Sequence, residues 1–127
     1  MILVDSDILI AHLRGVPAAR DWLLEARRRD RLAISVVTTV EIVGGMGLAE
    51  LREVWRLLSA FKVEPATEIV GRRAGDIMRQ YRRSHAGIGL GDYLIAATVD
   101  VKGFELATLN VRHFPMFPDL RAPFALG

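Results

Sequence analysis

MILVDSDILIAHL, residues 1–13, runs four apolar residues straight into two acids two positions apart. An unpaired carboxylate inside a strand would be costly, so Asp5 and Asp7 belong past the end of one. ILVD (2–5) reads as a short buried strand, and SDILIAHL as a short helix stopped at Arg14-Gly15. The chain therefore begins with a strand, an acidic turn and a helix, and the rest can be tested for the same rhythm.

The alternation continues. Pro17 suits the first turn of a helix, and Ala19, Trp22, Leu23 and Ala26 follow at the spacing of one buried helical face. LAISVV (32–37) is a second apolar strand, β-branched at its end. TTVEIVGG opens another helix, ended by its double glycine. Leu51, Val54, Trp55, Leu58 and Phe61 mark the core face of the next. KVEP is a short strand stopped by Pro65. Thr67 to about His85 is a long amphipathic helix with Val70, Ala74, Ile77, Met78 and Tyr81 inward. GDYLIAATVDVKG is apolar on nearly all sides, as a buried helix is, with Gly103 placed to cap it. FELATL is the next strand. The proline-punctuated tail from Asn110 is irregular, with one short edge strand expected in it.

Strands alternating with helices predict one α/β domain over residues 1–127: a three-layer α/β/α sandwich on a mostly parallel sheet of about five strands. No repeat, low-complexity segment or linker interrupts it. No apolar run reaches spanning length. With the first strand read from residue 2, no signal peptide is expected. The 127 residues contain no cysteine, which excludes a disulfide framework and thiolate zinc. A cytoplasmic protein is the expectation. Net charge is only +2, although 15 of the 17 basic residues are arginine. That balance does not by itself imply nucleic acid, since GC-rich coding favours arginine as well.

In a parallel sheet the strand-to-helix turns open on one edge, and ligands bind there. Asp5 ends the first strand, Glu41 sits in the first turn after LAISVV, Asp92 opens the buried helix, and Asn110 follows FELATL. Each acid also has a second reading as a helix cap: Thr38-x-x-Glu41 is formally a capping box, and Asp5, Ser6 or Asp92 would serve as N-caps. The pattern thus supports an acidic cluster and no more. Such a cluster would repel itself unless a hard divalent cation intervened, and a bound cation would activate water against a phosphoryl group.

ILVDSDILIAHLRG, ISVVTTVEIVGG, GLGDYLIAAT and LATLNVRHFP together resemble, in order and spacing, the VapC toxins of bacterial toxin–antitoxin pairs, which are PIN-domain ribonucleases. The resemblance covers essentially the whole chain and implies an endoribonuclease dependent on Mg²⁺ or Mn²⁺. It places the family's acids on Asp5, Glu41 and Asp92, with Asn110 at a fourth position. By analogy Asp5 and Asp92 ligate metal directly. Glu41 does so through water or positions the nucleophile, and Asn110 holds a ligand water. Ser6 and Thr108 offer further hydroxyls, and Asp7 either joins the cluster or caps the helix. Arg112 and His113, beside Asn110, are candidate RNA contacts. Arg72, Arg79, Arg82 and Arg83 are a second basic face, with Arg72 and Asp76 spaced to pair. A VapB-type antitoxin and a toxin homodimer are the implied partners.

Haloacid-dehalogenase phosphatases share an Asp-x-Asp after a first strand, but neither Lys62 nor Lys102 stands where such an enzyme needs its lysine. A response-regulator receiver would need an acceptor Asp ending a middle strand, where this chain has Glu64-Pro65. The remaining alternative is a PIN-like module that binds RNA or a partner without cutting.

Overall fold

The structure, a computed structural model, describes residues 1–126. Its strands are β1 (Ile2–Val4), β2 (Leu32–Ser35), β3 (Lys62–Glu64) and β4 (Glu105–Ala107). Six helices accompany them: α1 (Ser6–Leu13), α2 (Pro17–Arg29), α3 (Val36–Gly45), α4 (Leu51–Leu58), α5 (Glu68–Tyr81) and α6 (Leu90–Lys102). The strands lie in the order β3-β2-β1-β4 and every pairing is parallel. β1 is central: Ile2 and Leu3 face Leu32 and Ala33 on one side, Glu105 and Leu106 on the other.

Both faces of the sheet are covered, as an all-parallel sheet requires. Ile2, Val4, Leu32 and Ile34 pack under α1 to α4, with Ile8, Leu9, Leu23, Ile42, Val54 and Leu58 as the helical side of that core. Leu3, Ala33 and Leu106 face α5 and α6 through Val70, Ala74, Ile77, Tyr93 and Ile95. The three layers are those expected from the alternation of strands and helices.

Four strands form among the described residues, one fewer than the sequence suggests. The tail contains no edge strand. Pro115, Pro118 and Pro123 deny it ladder donors, and Phe114, Met116, Phe117 and Leu120 instead fold back onto the α5–α6 core. Phe114 and Phe117 stack with centroids 6.5 Å apart.

Several helix ends also fall elsewhere. α3 begins at Val36, because the Ser35 side chain already accepts from the Val37 N–H. α6 begins at Leu90 behind Gly89, and ends as expected at Gly103, which takes the left-handed conformation at φ 69°. Thr67 caps α5 through Val70 N–H. Trp55, read as part of the α4 core face, is 52% exposed, while Val54 and Leu58 are buried. Arg72 pairs with Glu68 instead of Asp76, which Arg79 takes. Among the described residues no helix is long and apolar enough to cross a membrane.

Candidate active site

All four strands point the same way, so their carboxyl ends share one edge, and Asp5, Glu41, Asp92 and Asn110 lie there. Asp5 follows β1. Its backbone N–H donates to the Ala107 carbonyl at 2.9 Å, one step beyond the β1–β4 ladder. Its Oδ1 accepts from the Ser6 N–H at 2.8 Å, so Asp5 is the N-cap of α1 as well as a candidate site carboxylate. Its Oδ2 accepts from the Thr108 hydroxyl at 2.8 Å.

Thr108 is a hub that sequence reading placed only beside the site. Its single hydroxyl proton lies between Asp5 Oδ2 at 2.8 Å and Asp7 Oδ2 at 3.2 Å, and its oxygen accepts from the Asn110 N–H at 3.0 Å. One proton cannot serve two carboxylates fully. Burial first, and then the neighbouring Asp7 charge, pushes the Asp5 carboxyl up to about 7. Burial likewise raises Asp7, against the hydrogen bonds it accepts from Leu109 and Thr108.

Asp7 is not a cap. Its Oδ2 accepts from the Leu109 N–H at 3.0 Å as well as facing Thr108, while its Oδ1 is buried without a hydrogen-bond partner. The hint in the sequence was an acid in the first turn of α1 and a hydroxyl just past β4, too ordinary a pair to read as a contact.

Glu41 does not belong to a capping box. With Ser35 as N-cap, Thr38 is the third helical residue and Glu41 lies in the second turn, so capping does not account for it. Burial raises its carboxyl, with Asp92 and then Asp7 adding to the effect. α3 can lie this close to α6 because of Gly91: a Cβ there would stand 3.1 Å from Val37 Cγ1 and 3.7 Å from Glu41 Oε1.

Asp92 is the third residue of α6, not its N-cap, and its Oδ2 accepts from the Gly89 N–H at 3.1 Å. The same oxygen lies 2.9 Å from His113 Nδ1, which is itself 2.9 Å from the Asn110 side-chain amide. It is the Asn110 Nδ2 that stands there, so the tautomer decides whether Nδ1 accepts from Asn110 or donates to Asp92. His113 is thereby a link between Asp92 and Asn110, whereas Arg112 is exposed. A groove of about 630 Å³ opens beside Asp7 and Asn110, walled by Ile10, Arg14, Leu109 and Leu126.

Four carboxylates on one edge, three of them held above their ordinary range, form a site short of positive charge. Among the described residues no lysine or arginine pairs with any of them; His113 alone faces one. The donors are hard oxygens of the kind Mg²⁺ and Mn²⁺ prefer. No three of the side chains among the described residues are set to hold an ion between them unaided.

The PIN-domain family model matches residues 2–117. The chain is 71% identical over 126 residues to Ribonuclease VapC10 of Mycobacterium tuberculosis, covering 99% of this chain and 95% of that one. It is 43% identical to Ribonuclease VapC19 of the same organism, over 98% of this chain and 100% of the relative. Among solved structures it resembles a toxin–antitoxin complex from Klebsiella pneumoniae, with a TM-score of 0.80 and 25% identity over 98% of both chains. A DNA-bound VapBC from Salmonella typhimurium has the same fold, with a TM-score of 0.80 and 24% identity over 95% of each chain.

Proposed function

Since this chain belongs to the PIN-domain family, among its VapC ribonucleases, we propose that it is an endoribonuclease dependent on Mg²⁺ or Mn²⁺. In this reading it is the toxin of a toxin–antitoxin pair, cutting cellular RNA and held in check by a cognate VapB-type antitoxin. The observation that carries the chemistry is the uncompensated charge at the sheet edge: Asp5, Asp7 and Glu41 are all raised, and no arginine or lysine among the described residues relieves them. Such an edge repels a phosphodiester until a cation joins it.

Asp5 and Asp92 are the proposed direct ligands, and Glu41 acts through water or orients the attacking water. When bound, the metal supplies charge for the developing phosphorane and a more acidic water. The chain's own groups do the aiming. Asp5 is held rigidly by the end of the central strand and by its cap. Asp92 has Oδ2 engaged by Gly89 and His113, and Oδ1 is the oxygen proposed to meet the metal. Asn110, neutral, orients a water instead of adding charge. Arg112, exposed beside this edge, is placed to meet an RNA phosphate. The likeness to the toxin–antitoxin complex from Klebsiella pneumoniae supports an antitoxin as partner, and a toxin homodimer belongs to the same proposal.

The test is cleavage of total cellular RNA, tRNA included, by chain freed of antitoxin, with Mg²⁺, Mn²⁺ or EDTA. Asp92→Asn keeps an acceptor for Gly89 and His113 but loses the charge. Discrete, metal-dependent fragments that vanish with Asp92→Asn are expected. Equal cutting by parent and variant would overturn the metal-site assignment. No cutting by folded, metal-replete parent would favour a binding module.

A further inference from the structure

Three of the four site residues stand on regular elements, Asp5 at the end of β1 and Glu41 and Asp92 on helices. Asn110 does not. It lies in the irregular stretch between β4 and the 3-10 turn Val111–His113, where no ladder or helix fixes the backbone. Such a segment needs its polar groups satisfied by something, and the pairing can be traced. The Leu109 N–H donates to Asp7 Oδ2 at 3.0 Å, and the Thr108 hydroxyl lies 3.2 Å from the same oxygen. The Asn110 N–H donates to Thr108 Oγ1 at 3.0 Å. One carboxylate oxygen, from a residue about a hundred positions earlier, therefore holds two consecutive residues of the loop, Thr108 and Leu109, and Thr108 in turn holds Asn110.

We infer that Asp7 is a positioning residue: its Oδ2 clamps the Leu109 backbone N–H and the Thr108 hydroxyl to the first turn of α1, and so places Asn110 against His113 and Asp92. The inference rests on the ribonuclease reading for its effect on activity, but the clamp itself stands on hydrogen bonds alone. The α1 cap is already supplied by Asp5, so Asp7 is free of the role its position first suggests. The clamp needs an acceptor, not a charge. An asparagine carbonyl could take both bonds; an alanine could take neither.

That difference makes the test. The full chain is compared as parent, Asp7→Asn and Asp7→Ala, reading amide hydrogen exchange at Leu109 and Asn110 by NMR. Steady-state cleavage is measured on an oligonucleotide spanning the parent's mapped cut site. Asp7→Ala should lose protection at both amides and fall about 10- to 100-fold in kcat with KM unchanged, as losing a partner behind a site residue does. Asp7→Asn should restore the protection at both amides and cut measurably faster than Asp7→Ala. Full protection at both amides in Asp7→Ala overturns the clamp. So does an Asp7→Asn variant as impaired as the alanine, which would make the charge the operative feature. If Asp7→Ala does not fold, folded Asp7→Asn decides: retained protection and cleavage support the clamp, lost protection overturns it. If the parent cuts no RNA with either metal, the ribonuclease reading falls, while exchange at the two amides still decides the clamp.

Discussion

At Asp5 the carboxyl is 5% exposed, with Asp7 and Asp92 as like-charged neighbours and one hydroxyl and one amide as donors. Its pKa rises from 3.8 to about 7 on folding. A raised carboxyl is no burden below pH 3.8, when it is protonated folded or unfolded. The burden grows as pH climbs from there to about 7 and is complete above, of order 4 kcal/mol. Asp5→Asn removes it without breaking a bond: its carbonyl takes the Ser6 N–H, its amide donates to Thr108, and the Thr108 hydroxyl is released to Asp7. Metal-free Asp5→Asn should therefore melt several degrees above the parent at pH 8, with the gain vanishing toward pH 4 and cleavage abolished throughout. Thermal melts in EDTA across that range would check it; a variant less stable than the parent at pH 8 would refute it. The four edge positions were legible in the sequence because parallel topology delivers strand ends to one side. The Asp7–Thr108 and Asp92–His113 contacts were not. They join residues 101 and 21 positions apart, and nothing in local spacing signals a hydrogen bond across such distances.

Among the elements, the meeting of α3 and α6 decides whether Glu41 reaches the site, and Gly91 sets how close they come. A methyl group at residue 91 would press on Val37 Cγ1 at 3.1 Å. Gly91→Ala trades this crowding against a better helix former, so stability should stay within about 1 kcal/mol of the parent. Cleavage should fall at least about tenfold, because small displacements near reacting groups are costly. Denaturation and cleavage measured on one sample would check both; unaltered cleavage would show that Glu41 tolerates the shift. Periodicity located α2, α4, α5 and α6 well, since each has a continuous apolar face to bury. It misplaced the start of α3 because Val36-Val-Thr-Thr-Val40 is β-branched throughout and favours an extended reading. Only the Ser35 side chain, capping Val37, shows where the strand stops. The fifth strand was overread from apolar residues in a tail that its prolines keep from pairing.

For the molecule as a whole, whose net charge is +2, the negative charge gathered at the sheet edge makes stability, pH and cation binding one linked equilibrium. Protons and a divalent cation compete for the same carboxylates. Added Mn²⁺ should raise the melting temperature at pH 8 by more than at pH 5, and the rise should disappear in Asp5→Asn. A rise of equal size at both pH values, or one that survives the substitution, would locate the bound ion elsewhere.

The central strand is made well before the segment that completes its far side: Thr108 meets Asp5 across 103 positions. A ribosome producing this protein handles Asp5, Asp7, Glu41 and Asp92 long before it adds Thr108 and Asn110. Until β4 docks, Asp5 has no hydroxyl to anchor it and Asp92 has no histidine to aim it. Throughout its own translation, surrounded at close quarters by messenger, transfer and ribosomal RNA, the growing polypeptide is thus an unassembled blade. Its edge closes only when the segment from Thr108 to His113 is free to fold against it.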